Sequence, residues 1–327
     1  MILSANVQKI VFLALQTVTM KIYRDISHFH VEKPVVTIGS FDGVHLGHLM
    51  IIRRLKEIAR QTGGESVVFT FSPHPRLVLF PEEQNLRLLT TLDEKTALLE
   101  KAGVGHLIIY PFNSVFAQLS YTEFVSDILV DRLRLKTLVV GYDHKFGRNR
   151  EGSFEVLQYL SSVYHFSVEK LDVLLVDHVH VSSTKIRDAL QCGDIARANQ
   201  YLGYPFRLHG IVIEGQKLGR RIQFPTANIQ ASDPHKIIPG HGVYAVYVNF
   251  GRKRHPGMMN IGTRPTVSNA DNRSIEVHII GFEGDLYQQV LEIELISKLR
   301  EEQKFGSVAE LRTQLETDKK NVLEMLG

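Results

Sequence analysis

The sequence predicts an α/β parallel sheet in its first half, then a small barrel or sandwich of β-strands with a C-terminal helix. Three observations predict it. Between Lys21 and Arg187, β-branched runs alternate with helix-period segments, the pattern of a parallel sheet with helices on both faces. After Phe206 the texture changes to short apolar runs separated by turn residues. Val308 to Leu326 then carries the period of an amphipathic helix. The expected division is an N-terminal extension over 1–20, a first domain over 21–187, a helical connector over 188–206 and a second domain over 207–327.

The first domain is organised around Val35 to His48. Val35-Val36-Thr37-Ile38 reads as a buried strand, and Gly39 and Gly43 mark a tight loop. Leu49, Ile52, Leu55 and Ala59 are spaced for one face of a helix that starts at His45 and His48. An open α/β sheet binds ligands where a helix opens from a strand's carboxyl end. Unpaired N–H groups and a partial positive charge there suit phosphate. Two imidazoles three residues apart can donate to one anion. The alternatives are an accidental pair of surface histidines and half a metal site. Neither a Walker-A pattern nor a G-x-G-x-x-G accompanies the loop.

Val67 to Phe71 is the second strand, ending in the stiff loop Ser72-Pro73-His74-Pro75. Thr91 with Glu94 reads as a capping box for a helix that Gly103 stops. Leu107 to Tyr110 is the third strand. A second capping box, Ser120 with Glu123, leads a helix through Val130. Thr137 to Val140 is the fourth strand, followed by Gly141-Tyr142-Asp143-His144-Lys145-Phe146-Gly147. That run is either a glycine-rich turn with half-buried aromatics or a loop contacting a nucleotide or flavin. Residues 153–164 read as a helix and Phe166 to Leu171 as a fifth strand. In Ser182-Ser183-Thr184-Lys185-Ile186-Arg187, hydroxyls cap a helix start, and two cations beside them make a clamp for a triphosphate.

Asp188 to Gln191 continues that helix, and Ile195 to Leu202 forms another. The β-runs that follow are Leu208 to Glu214, Gly242 to Phe250, Lys253 to Ile261, Ser274 to Gly281 and Val290 to Leu299. Gly215-Gln216-Lys217-Leu218-Gly219-Arg220 offers backbone N–H groups and cations to phosphates. In Phe224-Pro225-Thr226-Ala227-Asn228, the Thr226 hydroxyl and Asn228 carbonyl share one face of an extended chain. Such oxygens suit Mg²⁺, though the run also reads as a plain turn. Alternation puts Glu276 and His278 on one face of a strand and Ile275, Val277 and Ile279 on the other. Glu276 is then a solvated carboxylate or a general base.

Composition excludes several classes. Hydrophobic content of 44% and charged content of 22% are those of a soluble globular chain. A net charge of +3 with no basic run argues against nucleic acid as a partner. The single cysteine, Cys192, rules out a disulfide framework and fits a reducing cytoplasm. Ile10 to Leu15 is too short for a membrane span or a normal signal sequence, so residues 1–20 read as a floppy extension or an upstream start, or else as a short helix packed on the body, and no membrane is expected.

The string Phe41-Asp42-Gly43-Val44-His45-Leu46-Gly47-His48 resembles the H-x-G-H signature of the nucleotidyltransferase superfamily, in the form found in bacterial FAD synthetases. Ser182 to Arg187 resembles the superfamily's second signature, S-S-T-x-I-R. Gly141 to Gly147 resembles G-x-D-F-x-F-G, with His144 where Phe is usual. G-x-x-x-G-R, F-P-T-A-N, Asn260-Ile261-Gly262-Thr263-Arg264-Pro265-Thr266 and E-V-H-I together resemble the bacterial riboflavin kinase module. The whole is similar to bifunctional riboflavin kinase/FAD synthetases from about Lys21 to Leu326.

The resemblance implies a nucleotidyltransferase-type, Rossmann-like sheet followed by a six-stranded antiparallel barrel. It implies phosphorylation of riboflavin by ATP to FMN, then adenylylation of FMN to FAD, with Mg²⁺ as the metal. Gly39, Phe41, Asp42, Gly43, His45, His48, Gly141, Asp143, Ser182, Ser183, Thr184, Lys185 and Arg187 are the expected ATP contacts of the first domain. Phe71, Pro73, His74 and Phe146 are its flavin candidates. In the second domain ATP falls to Gly215, Lys217, Gly219, Arg220 and Thr226, Mg²⁺ to Thr226 and Asn228, and the flavin to Asn260 and Arg300. Glu276 takes the proton from the ribityl hydroxyl, while His45 and His48 act on the α- and β-phosphates. Competing readings are another coenzyme's adenylyltransferase and a flavin-binding regulator.

Overall fold

A computed structural model describes residues 19–82, 86–142, 145–172, 174–176, 179–215, 219, 222–263 and 273–327. Most of the expected N-terminal extension lies outside them. Contacts divide the chain into two units. One is the chain through Leu86 with Leu92–His180, and the other is Arg87–Thr91 with Val181–Gly327.

In the first unit, β1 (Lys21–Tyr23), β2 (Val35–Ile38), β3 (Ser66–Ser72), β4 (His106–Pro111), β5 (Thr137–Gly141) and β6 (Ser167–Leu171) form one sheet in the order β1-β4-β3-β2-β5-β6. Every pairing in it is parallel. β2 lies between β3 and β5, where the winding reverses. Its carboxyl end therefore opens at the topological switch point, the ligand crevice of such sheets. Successive residues point to opposite faces, and both faces are buried. Val36, Val67, Phe69 and Leu138 meet Phe124, Leu129 and Leu157 on one side. Val35, Val68, Leu107 and Val139 meet Ile52, Leu55 and Leu99 on the other.

The helices of this unit are α1 (Leu46–Thr62), α2 (Pro75–Leu79), α3 (Leu92–Lys101), α4 (Ser114–Ala117), α5 (Tyr121–Glu123) and α6 (Phe154–Tyr164), with α5 running on in π geometry over Phe124–Arg132. The Ser120 capping box forms: Ser120 Oγ accepts from the Glu123 N–H, and Glu123 accepts from the Ser120 N–H at 2.8 Å. Gly63, at φ 62°, ends α1 in the left-handed conformation. Two short strands, β7 (Leu175–Val176) and β8 (Val179–His180), pair antiparallel.

In the second unit, α7 (Ser183–Gln191) and α8 (Ile195–Leu202) precede the strands β9 (Phe206–Ile213), β10 (Ala227–Ala231), β11 (Gly242–Phe250), β12 (Lys253–Thr263), β13 (Arg273–Ile279) and β14 (Val290–Arg300). These close into a six-stranded antiparallel barrel in the order β10-β13-β12-β11-β14-β9. Five of its strands follow the apolar runs of the sequence. The sixth, β10, is the extended chain after the Phe224-Pro225-Thr226 turn. Closure leaves no strand edge unpaired.

The C-terminal helix α9 (Val308–Leu326) packs Val322 against Phe224, Ala245, Met258 and Ile280. Asp318, 1% exposed, anchors α9 by taking the Arg300 guanidinium at 2.8–3.1 Å through Nε and Nη2. Among the described residues no helix is long and apolar enough to cross a membrane.

Candidate active sites

The first site grows from the end of β2. Phe41, Gly43 and Val44 have φ of 49°, 85° and 36°, so the loop turns back sharply before α1. Left-handed backbone at Phe41 and at β-branched Val44 is a local cost that tertiary contacts must hold. His45 caps α1: its Nδ1 accepts from the His48 N–H at 3.4 Å. The two imidazoles stack at 3.7 Å between centroids, 16° from parallel, and Phe41 lies 5.0 Å from His48. Asp42 and His45 are buried. His48 Nδ1 is buried with no hydrogen-bond partner. Burial, then the neighbouring His45 and Lys95, holds His48 well below the usual histidine pKa. The ring is neutral at pH 7.

Lys95, which the sequence reading missed, lies beneath this loop. No local motif marks it, and only the packing of α3 on the sheet turns it inward. Its Nζ donates to Ser40 O at 3.1 Å, Thr70 Oγ1 at 3.2 Å and Phe71 O at 3.4 Å.

The aromatic candidates separate. Phe71 lies partly exposed at the end of β3, with Phe112 at 5.4 Å and Phe116 at 5.7 Å, and Tyr110 packs on Phe116 at 4.9 Å. Pro73 is exposed in this loop, and His74 caps α2 by accepting from the Arg76 N–H. Phe112 and Phe116 were not read from sequence; they gather here because β4 pairs with β3. Phe146 is instead part of the core, 6.1 Å from Phe124. Gly141 ends β5, and Asp143 lies outside the described residues.

Ser182 caps α7, its Oγ accepting from the Lys185 N–H at 3.4 Å. Arg187 Nε donates to Arg87 O at 2.7 Å. By contacts this whole motif, Ser182 to Arg187, falls in the second unit.

The second site is a row across three strands. Register places Asn228 of β10 and Asn260 of β12 on either side of Glu276 on β13. Residues directly opposite in antiparallel strands share a face. Ile275, Val277 and Ile279 are buried on the other face. The Thr226 hydroxyl donates to Glu276 at 3.2 Å. His278 Nδ1 donates to Pro225 O at 2.8 Å and so fixes the turn before Thr226. Beside the row opens a cleft of about 380 Å³, lined by Gly215, Thr226, Asn228, Asp285 and Tyr287 among others.

Gly215 touches this row. A Cβ there would meet Asn228 Nδ2 at 2.0 Å. At Gly219 a Cβ would meet Phe224 O at 2.2 Å, so that position demands glycine by close approach, whereas at Gly215 the Asn228 amide would have to shift. Asn260 Nδ2 lies 3.4 Å from Glu302 Oε1. Arg300 is engaged by Asp318, which makes it an anchor of α9. Lys217, Arg220 and residues 264–266 lie outside the described residues. No three His, Cys, Asp or Glu side chains cluster as a metal cage among the described residues. Hydroxyl and amide oxygens at Thr226 and Asn228 fit Mg²⁺, which keeps few protein ligands and takes others from substrate phosphates.

One unit thus presents a helix start with two stacked imidazoles, and the other a carboxylate row beside a cleft. Residues 28–185 match the family model described as FAD synthetase, and residues 202–326 match that of riboflavin kinase. A bifunctional riboflavin kinase/FMN adenylyltransferase of Pseudomonas fluorescens is 42% identical over 87% of this chain and 90% of its own. The protein of that description in Escherichia coli (strain K12) is 40% identical over 90% and 94%. The crystal structure of a protein from Streptococcus pneumoniae, described as a macrolide-efflux protein, shares the fold. It has a TM-score of 0.83 over 92% of this chain and 97% of that one, at 28% identity. The chain belongs to the bifunctional riboflavin kinase/FMN adenylyltransferase family.

Proposed function

We propose that the histidine loop and the Glu276 row are the two reaction centres of this chain. As a member of its family the chain is a transferase with two activities. Riboflavin and ATP give FMN and ADP; FMN and ATP then give FAD and pyrophosphate.

The observation that carries the assignment is where the carboxylate stands. Riboflavin's ribityl hydroxyl gains from a general base, whereas the phosphate of FMN is already anionic and needs none. Glu276 is the base for phosphorylation, oriented by the Thr226 hydroxyl. Thr226 and Asn228 would hold Mg²⁺, which neutralises charge on the phosphates when bound. Gly215 receives ATP in the cleft, with Gly219, Lys217 and Arg220 as its further sequence candidates, and Asn260 borders the flavin.

At the first site His45 and His48 bind the α- and β-phosphates, with Phe71 against the flavin ring. This division needs positioning and charge neutralisation rather than covalent chemistry. The functional division proposed is 21–187 and 207–327, joined by 188–206, although contacts group Val181 onward with the second unit, and the chain works in the cytoplasm, where ATP is available.

The test is incubation with riboflavin, ATP and Mg²⁺ followed by chromatography. FMN should appear first and FAD after it, and chelating Mg²⁺ should stop FMN formation. Failure to form FMN with Mg²⁺ present contradicts the reading. Gly215→Ala adds a more local check. The new methyl displaces the Asn228 amide, so the Mg²⁺ concentration for half-maximal FMN formation should rise about 10- to 100-fold. FAD formation from FMN should stay unchanged.

A further inference from the structure

We infer that Lys95 is a positioning residue of the adenylyl-transfer site, a fixed cation under the histidine loop that sets how tightly the triphosphate of ATP is held. The inference rests on reading that loop as an ATP site.

Lys95 is 7% exposed, and each of its three ammonium N–H groups has an oxygen acceptor. Two of these are the carbonyls of Ser40, just beyond β2, and Phe71, near the end of β3. The third is the Thr70 hydroxyl, which itself donates to Ser40 O at 3.2 Å. One side chain thus rivets the start of the loop to the neighbouring strand. The strained turn at Phe41, Gly43 and Val44 follows directly, and the His45–His48 pair after it.

None of those three acceptors carries a charge. A buried cation is costly unless a counter-charge reaches it. Among the described residues, the titratable groups facing Lys95 are Asp42 on the loop and His48 on α1, with His45 beyond; β3 contributes only neutral Thr70 and Phe71. His48 is neutral, and Asp42 offsets the burial cost only in part. Burial, opposed by Asp42, brings Lys95 down to about 8. An anion at the start of α1 supplies the missing counter-charge. Because the helix start and the ammonium then act on the same phosphates, binding and protonation are linked.

The sign follows from that linkage. Bound triphosphate favours protonated Lys95, so ATP is held better below pH 8 than above it. Phosphate and unperturbed histidine groups finish titrating below about pH 7.5, leaving a clear window above.

The experiment measures FAD formation from FMN with the full chain, fitting KM for ATP and kcat from pH 7.5 to 9.5. In the parent protein KM for ATP should rise about tenfold across that range, the equivalent of one unit of pKa linkage. Lys95→Met should raise KM about tenfold at pH 7.5 and flatten the profile, with kcat changed less and riboflavin phosphorylation intact. A purely structural role would lower kcat at every pH and leave the KM step in place.

A Lys95→Met protein with the parental KM and pH profile overturns the inference. So does a flat KM in the parent, which also decides the matter if the variant loses both activities by misfolding. Should His48→Ala leave FAD formation unchanged, the reading of the loop fails instead.

Discussion

Glu276→Gln is expected to abolish FMN formation while FAD formation from supplied FMN continues. Loss of a general base costs about a hundred- to ten-thousandfold, which at initial rates, over minutes, leaves riboflavin essentially unreacted. Gln keeps the shape and can still receive the Thr226 hydroxyl through its carbonyl oxygen, so the row across β10, β13 and β12 stays in place. The lost property is the ability to take a proton. FAD formation draws on a different unit and serves as the internal control for folding. Equal loss of both activities in a folded variant would contradict the assignment.

His48→Ala should do the converse, slowing FAD formation about ten- to a thousandfold, the range for losing one charge-stabilising donor. The buried, partnerless Nδ1 is the structural ground for so large an effect. A buried polar atom without a partner costs about 1–3 kcal/mol, and folds tolerate it chiefly where a ligand completes it. His48 is neutral at pH 7, so the loss should be of hydrogen bonding and shape rather than of a fixed charge. Riboflavin phosphorylation should persist at the parental rate. A change in FAD formation of less than twofold would rule the role out.

Much of this was legible in the sequence because it is local. The alternation of Val35-Val36 and Leu138-Val139 marks strands buried on both faces, and the period of Leu49, Ile52, Leu55 and Ala59 marks α1. His45 caps that helix where the pattern puts it, and the Ser120 box closes as read. The first edge strand, β1, is three residues long and pairs only with β4, so no periodicity reveals it. Contacts between distant segments were also hidden. Glu276 meets Thr226 across fifty positions because β13 pairs with β10.

Lys95 looks like an ordinary helix cation until α3 docks. Arg300, expected at the flavin, is held by Asp318 on α9. Phe146 shares its glycine bracket with the predicted contact loop, yet packing on Phe124 puts it in the core. The carboxyl ends of β3 and β4 bring Phe71, Phe112 and Phe116 together instead.

The central claim is that two separate centres act in sequence on one chain. It is tested most directly by mixing the Glu276→Gln and His48→Ala proteins with riboflavin, ATP and Mg²⁺ and separating the flavins. At initial rates, the first alone should leave riboflavin essentially unreacted and the second alone should accumulate FMN. Together they should make FAD, the FMN from one being consumed by the other. FMN production by the Glu276→Gln protein alone at near the parental rate, or a mixture that yields no FAD while each folded variant retains its remaining activity, would contradict the account.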